Sequence, residues 1–214
     1  MSMTYNSLTA QVLSYLNRTD ADTVAQIPNF IEQATQRICR ESKNIGLEVY
    51  SAGNFVANAI DGGAVLQKPG RWRRNIAFSY GAGIDFNATT AIQLRSYEFC
   101  RTYWPDATQS APPQFYADYG YNNLLIVPTP DQDYPFEYVY LEKPVTITEQ
   151  QQTNWITDNA PDVYLYATLL EAMSFLGNDE RIPVWKDYYK MGIDSLNSQD
   201  DQRVVDRTNN RESD

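Results

Sequence analysis

Apolar residues in the first stretch of the chain recur at helical intervals. In residues 4–17, Leu8, Val12, Tyr15 and Leu16 fall on one side of a 3.6-residue repeat, which predicts an amphipathic helix. The next run, "TDADTVAQIPNFIEQATQRICRESKN", places Thr23 and Gln26 at capping-box spacing, but Pro28 would then lie inside the helix and remove a backbone hydrogen bond. A short helical turn and a fresh start at Pro28 are therefore expected, with Phe30, Ile31, Ala34 and Ile38 on the buried side.

From residue 47 to 155 the pattern changes. Short runs of β-branched and aromatic residues alternate with "DGG", "KPG", "GAG", "APP" and "PTP", the punctuation of turns, so a β-rich insertion is expected. The clearest strands are "QFYADY" and "NLLIVP", predicted to form a hairpin around Gly120, and "FEYVYLEKP". In the last of these, Phe136, Tyr138 and Tyr140 alternate with Glu137, Val139 and Leu141, giving one aromatic and one mixed face. A short helix is expected over residues 96–103; residues 51–90 carry the loosest pattern.

Helical spacing returns with Val163, Tyr166, Ala167, Leu170 and Met173. Asn159 is the expected cap, Pro161 and Asp162 suit the first turn, and Gly177 marks the end. A last helix opens near Pro183 and offers Trp185, Tyr188, Tyr189 and Leu196 as an apolar edge. Beyond about residue 197 only Val204 and Val205 are apolar. Burying them returns about 1.5 to 3 kcal/mol each, less than the cost of ordering the segment at about 1 to 2 kcal/mol per residue. Residues 198–214 are thus expected to stay flexible until a partner binds. The expected fold is α+β: a mainly helical bundle from residues 1–46 and 156–197, a β-rich insertion over 47–155, and the C-terminal tail.

Composition narrows the chemistry. The 214 residues include no histidine, which removes Ser-His-Asp and Cys-His catalysis and imidazole-dependent zinc sites. The two cysteines, Cys39 and Cys100, are far apart in sequence and read as buried thiols, with no disulfide framework or zinc cluster. With 17 Lys+Arg against 27 Asp+Glu, the net charge of −10 opposes tight wrapping of nucleic acid. The start "MSMTYNSLTA" lacks the features of a signal peptide, and no apolar run is long enough to span a bilayer, so synthesis in the cytoplasm is expected.

Several motifs have two readings. "YGAGID" lacks the third glycine of a dinucleotide loop. Asp131 and Asp133 lie in "PTPDQDYP", where aspartate is expected to brace a turn rather than bind calcium or act on a glycoside. The basic run "KPGRWRRN" reads as a solvated strand edge or a subunit contact, with Arg71, Trp72 and Arg73 at its centre; DNA binding through Arg71, Arg73 and Arg74 is the rival reading. Trp155, Trp185, Tyr188 and Tyr189 read as core or interface aromatics. No catalytic residue, metal ligand or cofactor emerges, although a carbohydrate-binding or carbohydrate-active role for the tyrosine-rich insertion remains the alternative.

Three stretches together, "LTAQVLSYLNRTDADTVAQIPNFIEQATQRI", "LLIVPTPDQDYPFEYVYLEKP" and "APDVYLYATLLEAMSFLGNDERIPVWKDYY", resemble the head-to-tail adaptor (connector) proteins of short-tailed bacteriophages. The resemblance implies a structural virion protein without enzymatic activity, assembled as a ring, by expectation a dodecamer, beneath the portal protein. Such a ring extends the DNA channel, lets the genome pass without specific binding, and docks nozzle and fibre proteins. It also implies that the C-terminal segment clasps the portal. In this chain that role falls by position on residues 198–214, with Arg203, Val204, Val205 and Arg207 as the portal-binding residues.

Overall fold

The computed structural model describes residues 3–42, 48–57, 64–81, 89–177 and 180–209, with side chains for all of these except 64 and 203–209. The chain divides into two compact units, one formed by Met1–Leu47 with Lys143–Asp214 and the other by Glu48–Glu142. The architecture is mixed, with helices in the first unit and two sheets and a short helix in the second.

The first unit contains α1 (Tyr5–Leu16), α2 (Ala21–Glu41), α4 (Trp155–Asn159), α5 (Pro161–Leu176) and α6 (Ile182–Asn209). Thr4 caps α1 through a reciprocal box with Ser7, and Asn17 closes it in the left-handed conformation at φ 50°. Helix α2 is continuous through Pro28, contrary to the expected break, and its cap is Asp20, which accepts from the Thr23 amide at 2.9 Å, rather than Thr23 itself. The physical reason is exposure. Pro28 and Val24, whose carbonyl loses its partner, both face solvent, so water can satisfy that oxygen while Ile27 and Ile31 stay buried in register.

Helix α5 lies against α1, α2, α4 and α6 and is covered almost all round, with Val163, Tyr164, Leu165, Ala167, Thr168 and Leu169 buried. Pro161 starts it as expected. Asn159 does not cap it but ends the separate turn α4, donating from its side chain to the Trp155 carbonyl. Tyr164 is fully buried, and its hydroxyl meets that of Thr35 on α2 at 2.7 Å, while Thr35 also donates to the Ile31 carbonyl. Gly192 on α6 sits where a Cβ would approach Val163 Cγ2 to 2.7 Å, so the absence of a side chain sets the α5–α6 spacing.

Helix α6 runs to Asn209, twelve residues beyond the predicted end near residue 197. The expectation of an unstructured tail is corrected for residues 198–209; residues 210–214 lie outside the described ones. Extending an existing helix adds about one hydrogen bond for each residue fixed, so the segment needs no buried apolar face to continue, and it contains no proline or glycine to stop it.

The second unit holds two four-stranded sheets of order β1-β8-β3-β4 and β2-β7-β6-β5. Their strands are β1 (Glu48–Phe55), β2 (Ala64–Gln67), β3 (Trp72–Gly81), β4 (Thr89–Ala91), β5 (Gln93–Leu94), β6 (Phe115–Tyr119), β7 (Asn123–Val127) and β8 (Tyr134–Glu142). The β6–β7 hairpin turns at Gly120, φ 67°, as predicted. Strand β8 buries Phe136, Tyr138 and Tyr140 on its aromatic face, where they join Phe55, Phe78, Tyr116, Leu124 and Ile126 between the sheets. The opposite face of the second sheet buries Ala117, Leu125 and Val127 with Cys100 from α3 (Tyr97–Tyr103). Strand β7 is therefore covered on both faces, which explains its unbroken apolar sequence.

Candidate functional site

The sequence singles out two groups of residues, and the structure gives them different surroundings. The basic run begins at Lys68, whose ammonium is buried and ion-paired with Asp118, near the Gly120 and Tyr121 carbonyls, and lies 4.1 Å from the centre of the Trp72 ring. It fastens the β6–β7 turn to the loop before β3. Arg71 bonds to Glu142 at 2.7 Å from its Nε, and the Trp72 indole donates to Asn75 at 2.7 Å. The Tyr138 hydroxyl donates to the same Asn75 oxygen, and burial pushes its phenol well above the ordinary tyrosine range. Arg73 and Arg74 also have partners. Charges satisfied in this way are poorly placed to displace counterions along a nucleic acid.

Pairing explains why this run sits where it does. Strand β4 covers only Ser79–Gly81 of β3, so among the described residues the outer side of Trp72–Asn75 has no neighbouring strand. Register shifts fall between Trp72 and Arg74 and between Asn75 and Ala77. Bulges and positive charge on an exposed edge discourage unwanted strand addition. Asp131 and Asp133 likewise brace local structure: the Tyr134 hydroxyl donates to Asp131 at 2.7 Å and the Ala57 amide to Asp133 at 2.9 Å.

On α6, Trp185 and Tyr189 are buried within the first unit, so both rings are covered inside the protomer and offer a neighbouring subunit little surface. Tyr188 is half exposed and stacks on Tyr166 with centroids 5.1 Å apart. Tyr189 lines a cleft of about 620 Å³ with Arg37, Glu41, Lys186 and Lys190. Burial, followed by the nearby Glu41 carboxylate, holds its phenol protonated far above the usual range. Arg203, Val204, Val205 and Arg207 lie in the last turns of α6, where only the backbone is described.

The two cysteines are free thiols; Cys100 is fully buried, whereas Cys39 is only partly covered, less than expected. Among the described residues no cluster of three or more Cys, Asp or Glu side chains is arranged to hold a metal ion. No helix among them is long and apolar enough to cross a membrane. Sequence reasoning missed the aromatic surface of α3, although Tyr97 with Arg101 and Phe99 with Tyr103 stand four residues apart, the spacing that brings helical side chains together.

A family model described as SU10 adaptor protein matches residues 3–212, nearly the whole chain. None of the curated proteins compared with the chain matches it.

Proposed function

Because the chain belongs to the SU10 adaptor protein family, we propose that it acts as a head-to-tail adaptor of a phage virion, a ring of copies beneath the portal protein that continues the DNA channel and receives nozzle and fibre proteins. The observation carrying this reading is the extent of the family match, which takes in both units and the C-terminal helix. A phage structural adaptor works by packing, and its family is not one of enzymes. The components of the neck and tail are its working surroundings, so its location is the virion.

In this reading the C-terminal part of α6 reaches the portal. Trp185, Tyr189, Ile193 and Leu196 root the helix in the first unit, upstream of the turns that this reading assigns to the portal. Arg203 and Arg207 stand one turn apart and would pair with portal acids, while Val204 and Val205 would supply apolar contact. Repetition around a ring lets individually weak contacts act together, because each bound copy raises the effective concentration of the rest. Acidic residues facing the channel would repel the genome's phosphates and let DNA slide. Arg71, Trp72, Arg73 and Tyr188 would serve subunit or partner contacts at the rim.

Deleting residues 198–214 tests the proposal. The four residues that root α6 all precede the cut, so the truncated chain should fold, losing only the helical signal of the α6 residues removed, and fail to join portal-bearing heads to tails. Normal joining by the truncated protein would refute the portal role of this segment.

A further inference from the structure

The surface over α3 is used by none of the roles above. Cys100 turns inward, and both flanks of the helix are aromatic. On one flank Tyr97 stacks on Tyr119 with centroids 5.7 Å apart, and the Arg101 guanidinium lies over these rings at 5.3 and 5.8 Å. On the other flank Phe99 stacks on Tyr103 at 5.9 Å, Phe115 meets both edge-on at 5.2 and 5.0 Å, and Arg95 lies over Phe99 and Phe115 at 5.9 and 5.6 Å.

These rings are not core. Phe99 and Tyr103 are each 41% exposed, Tyr97 and Tyr119 are 39% and 36% exposed, and Leu94, next to Arg95, is 52% exposed. Exposed apolar side chains on a monomer are normally scattered singly; a contiguous group rimmed by charge marks a contact surface. Tyrosine and arginine are also the residues that interface centres favour. Arg95 bonds to Gln93 Oε1 at 2.7 Å and to the Leu94 carbonyl, but forms no ion pair with any described residue.

We infer that this face receives a second copy of the chain, whose carboxylates meet Arg95 while its apolar side chains cover the rings. The inference rests on the ring reading and adds the surface that builds the ring. Charge selects the occupant. The chain carries 27 acids against 17 bases, so the surface of an identical neighbour is rich in carboxylates. Docking of the face on itself would bring the Arg95 guanidinium groups of both copies onto one apolar patch, a like-charge cost that contact with a carboxylate-bearing surface avoids. The contact is therefore between unlike surfaces, and a repeated contact of that kind closes into a ring when its rotation permits. A nucleic acid would need more cations than these two arginines, which stand close in sequence to Glu98, the acid of the first turn of α3. A sugar would need open ring faces, whereas Tyr97 and Tyr119 stack on each other and Phe99 on Tyr103, with arginine beside them.

The test compares wild type with Arg95→Glu and with the double variant Phe99→Ser/Tyr103→Ser, by native mass spectrometry and negative-stain microscopy, alone and mixed with portal rings of the same phage. Wild type should form closed rings in at least one condition. The variants should keep the wild-type circular dichroism and bind as isolated copies, or need at least tenfold more protein to assemble. If the serine pair lowers the melting temperature, the solvent-facing Arg95→Glu decides the question. Variants that assemble like wild type overturn the inference, as does normal assembly accompanied by lost retention of polysaccharide or single-stranded DNA. Wild type that forms no ring in any condition refutes the ring reading itself, a different result from normal rings built by the variants.

Discussion

Gly192→Ala would set two opposing effects against each other on α6. Alanine is favoured over glycine in a helix interior by about 1 kcal/mol. The new Cβ, however, would lie 2.7 Å from Val163 Cγ2 and 3.4 Å from Asp162 Oδ2. Ordinary carbon contacts lie at about 3.5 to 4.0 Å, so the methyl arrives roughly 1 Å too close. Val163 is 2% exposed and β-branched, and a helical valine keeps one rotamer, so it cannot swing aside. Overpacking of this kind costs about 1 to 3 kcal/mol, leaving a net destabilisation of about 1 kcal/mol. With a urea slope near 2 kcal/mol per molar, the midpoint followed by helical ellipticity should fall by roughly 0.5 M. Gly192→Ala/Val163→Ala removes the opposing methyls and should be less unstable than Val163→Ala alone would suggest, because the two sites couple. A higher midpoint for Gly192→Ala alone would refute the close approach of α5 and α6.

Three further outcomes follow from the packing and the titrating groups. Gly53→Ala places a Cβ 2.7 Å from Phe136, whose ring is held between Phe55 and Phe78, and should destabilise by about 1 to 3 kcal/mol in denaturant titration. Tyr164→Phe leaves the buried Thr35 oxygen without its donor and should cost about 1 to 2 kcal/mol. In wild type, burial raises the Tyr164 phenol from 10.0 to about 12, so its contribution is complete below pH 10 and disappears as pH rises through 12; Tyr164→Phe should flatten the alkaline fall in melting temperature over that interval. Bonding from the Thr23 side chain and amide lowers the Asp20 carboxyl, so its stabilisation is present above the normal aspartate range and lost as pH falls below it; Asp20→Asn should retain the cap and remove that part of the acid-limb decline in thermal melts.

Much of the helical framework is legible in the chain. The periodicity of Leu8, Val12 and Leu16 and the Pro161 and Gly177 boundaries locate α1 and α5 without tertiary information. Pro28 misleads because its cost depends on whether water reaches the carbonyl it frees, which only the three-dimensional surroundings decide. Strands β1 to β5 are hard to see because most of their residues are half-buried or exposed, and their places depend on strands later in the chain: β1 and β3 on β8, more than fifty residues downstream of β3, and β2 and β5 on β7 and β6. The C-terminal segment is misjudged for the opposite reason: counting apolar residues measures burial, whereas an extended helix needs only its own backbone bonds. The burial of Trp185 and Tyr189 inside the first unit is not readable from residue type, since an aromatic ring suits a core and an interface equally.

The length of α6 has a mechanical implication. Its 28 residues span about 42 Å, and roughly 20 Å of that lies beyond Leu196. A helix rooted at one end behaves as a lever, so a tilt of about 10° at Trp185 and Tyr189, roughly 30 Å from Asn209, would carry the last turn through roughly 5 Å, nearly twice the length of a hydrogen bond. The geometry of the tip is thus governed by the fit of two aromatic rings several turns away, and substitutions at that fulcrum would be felt at a distance.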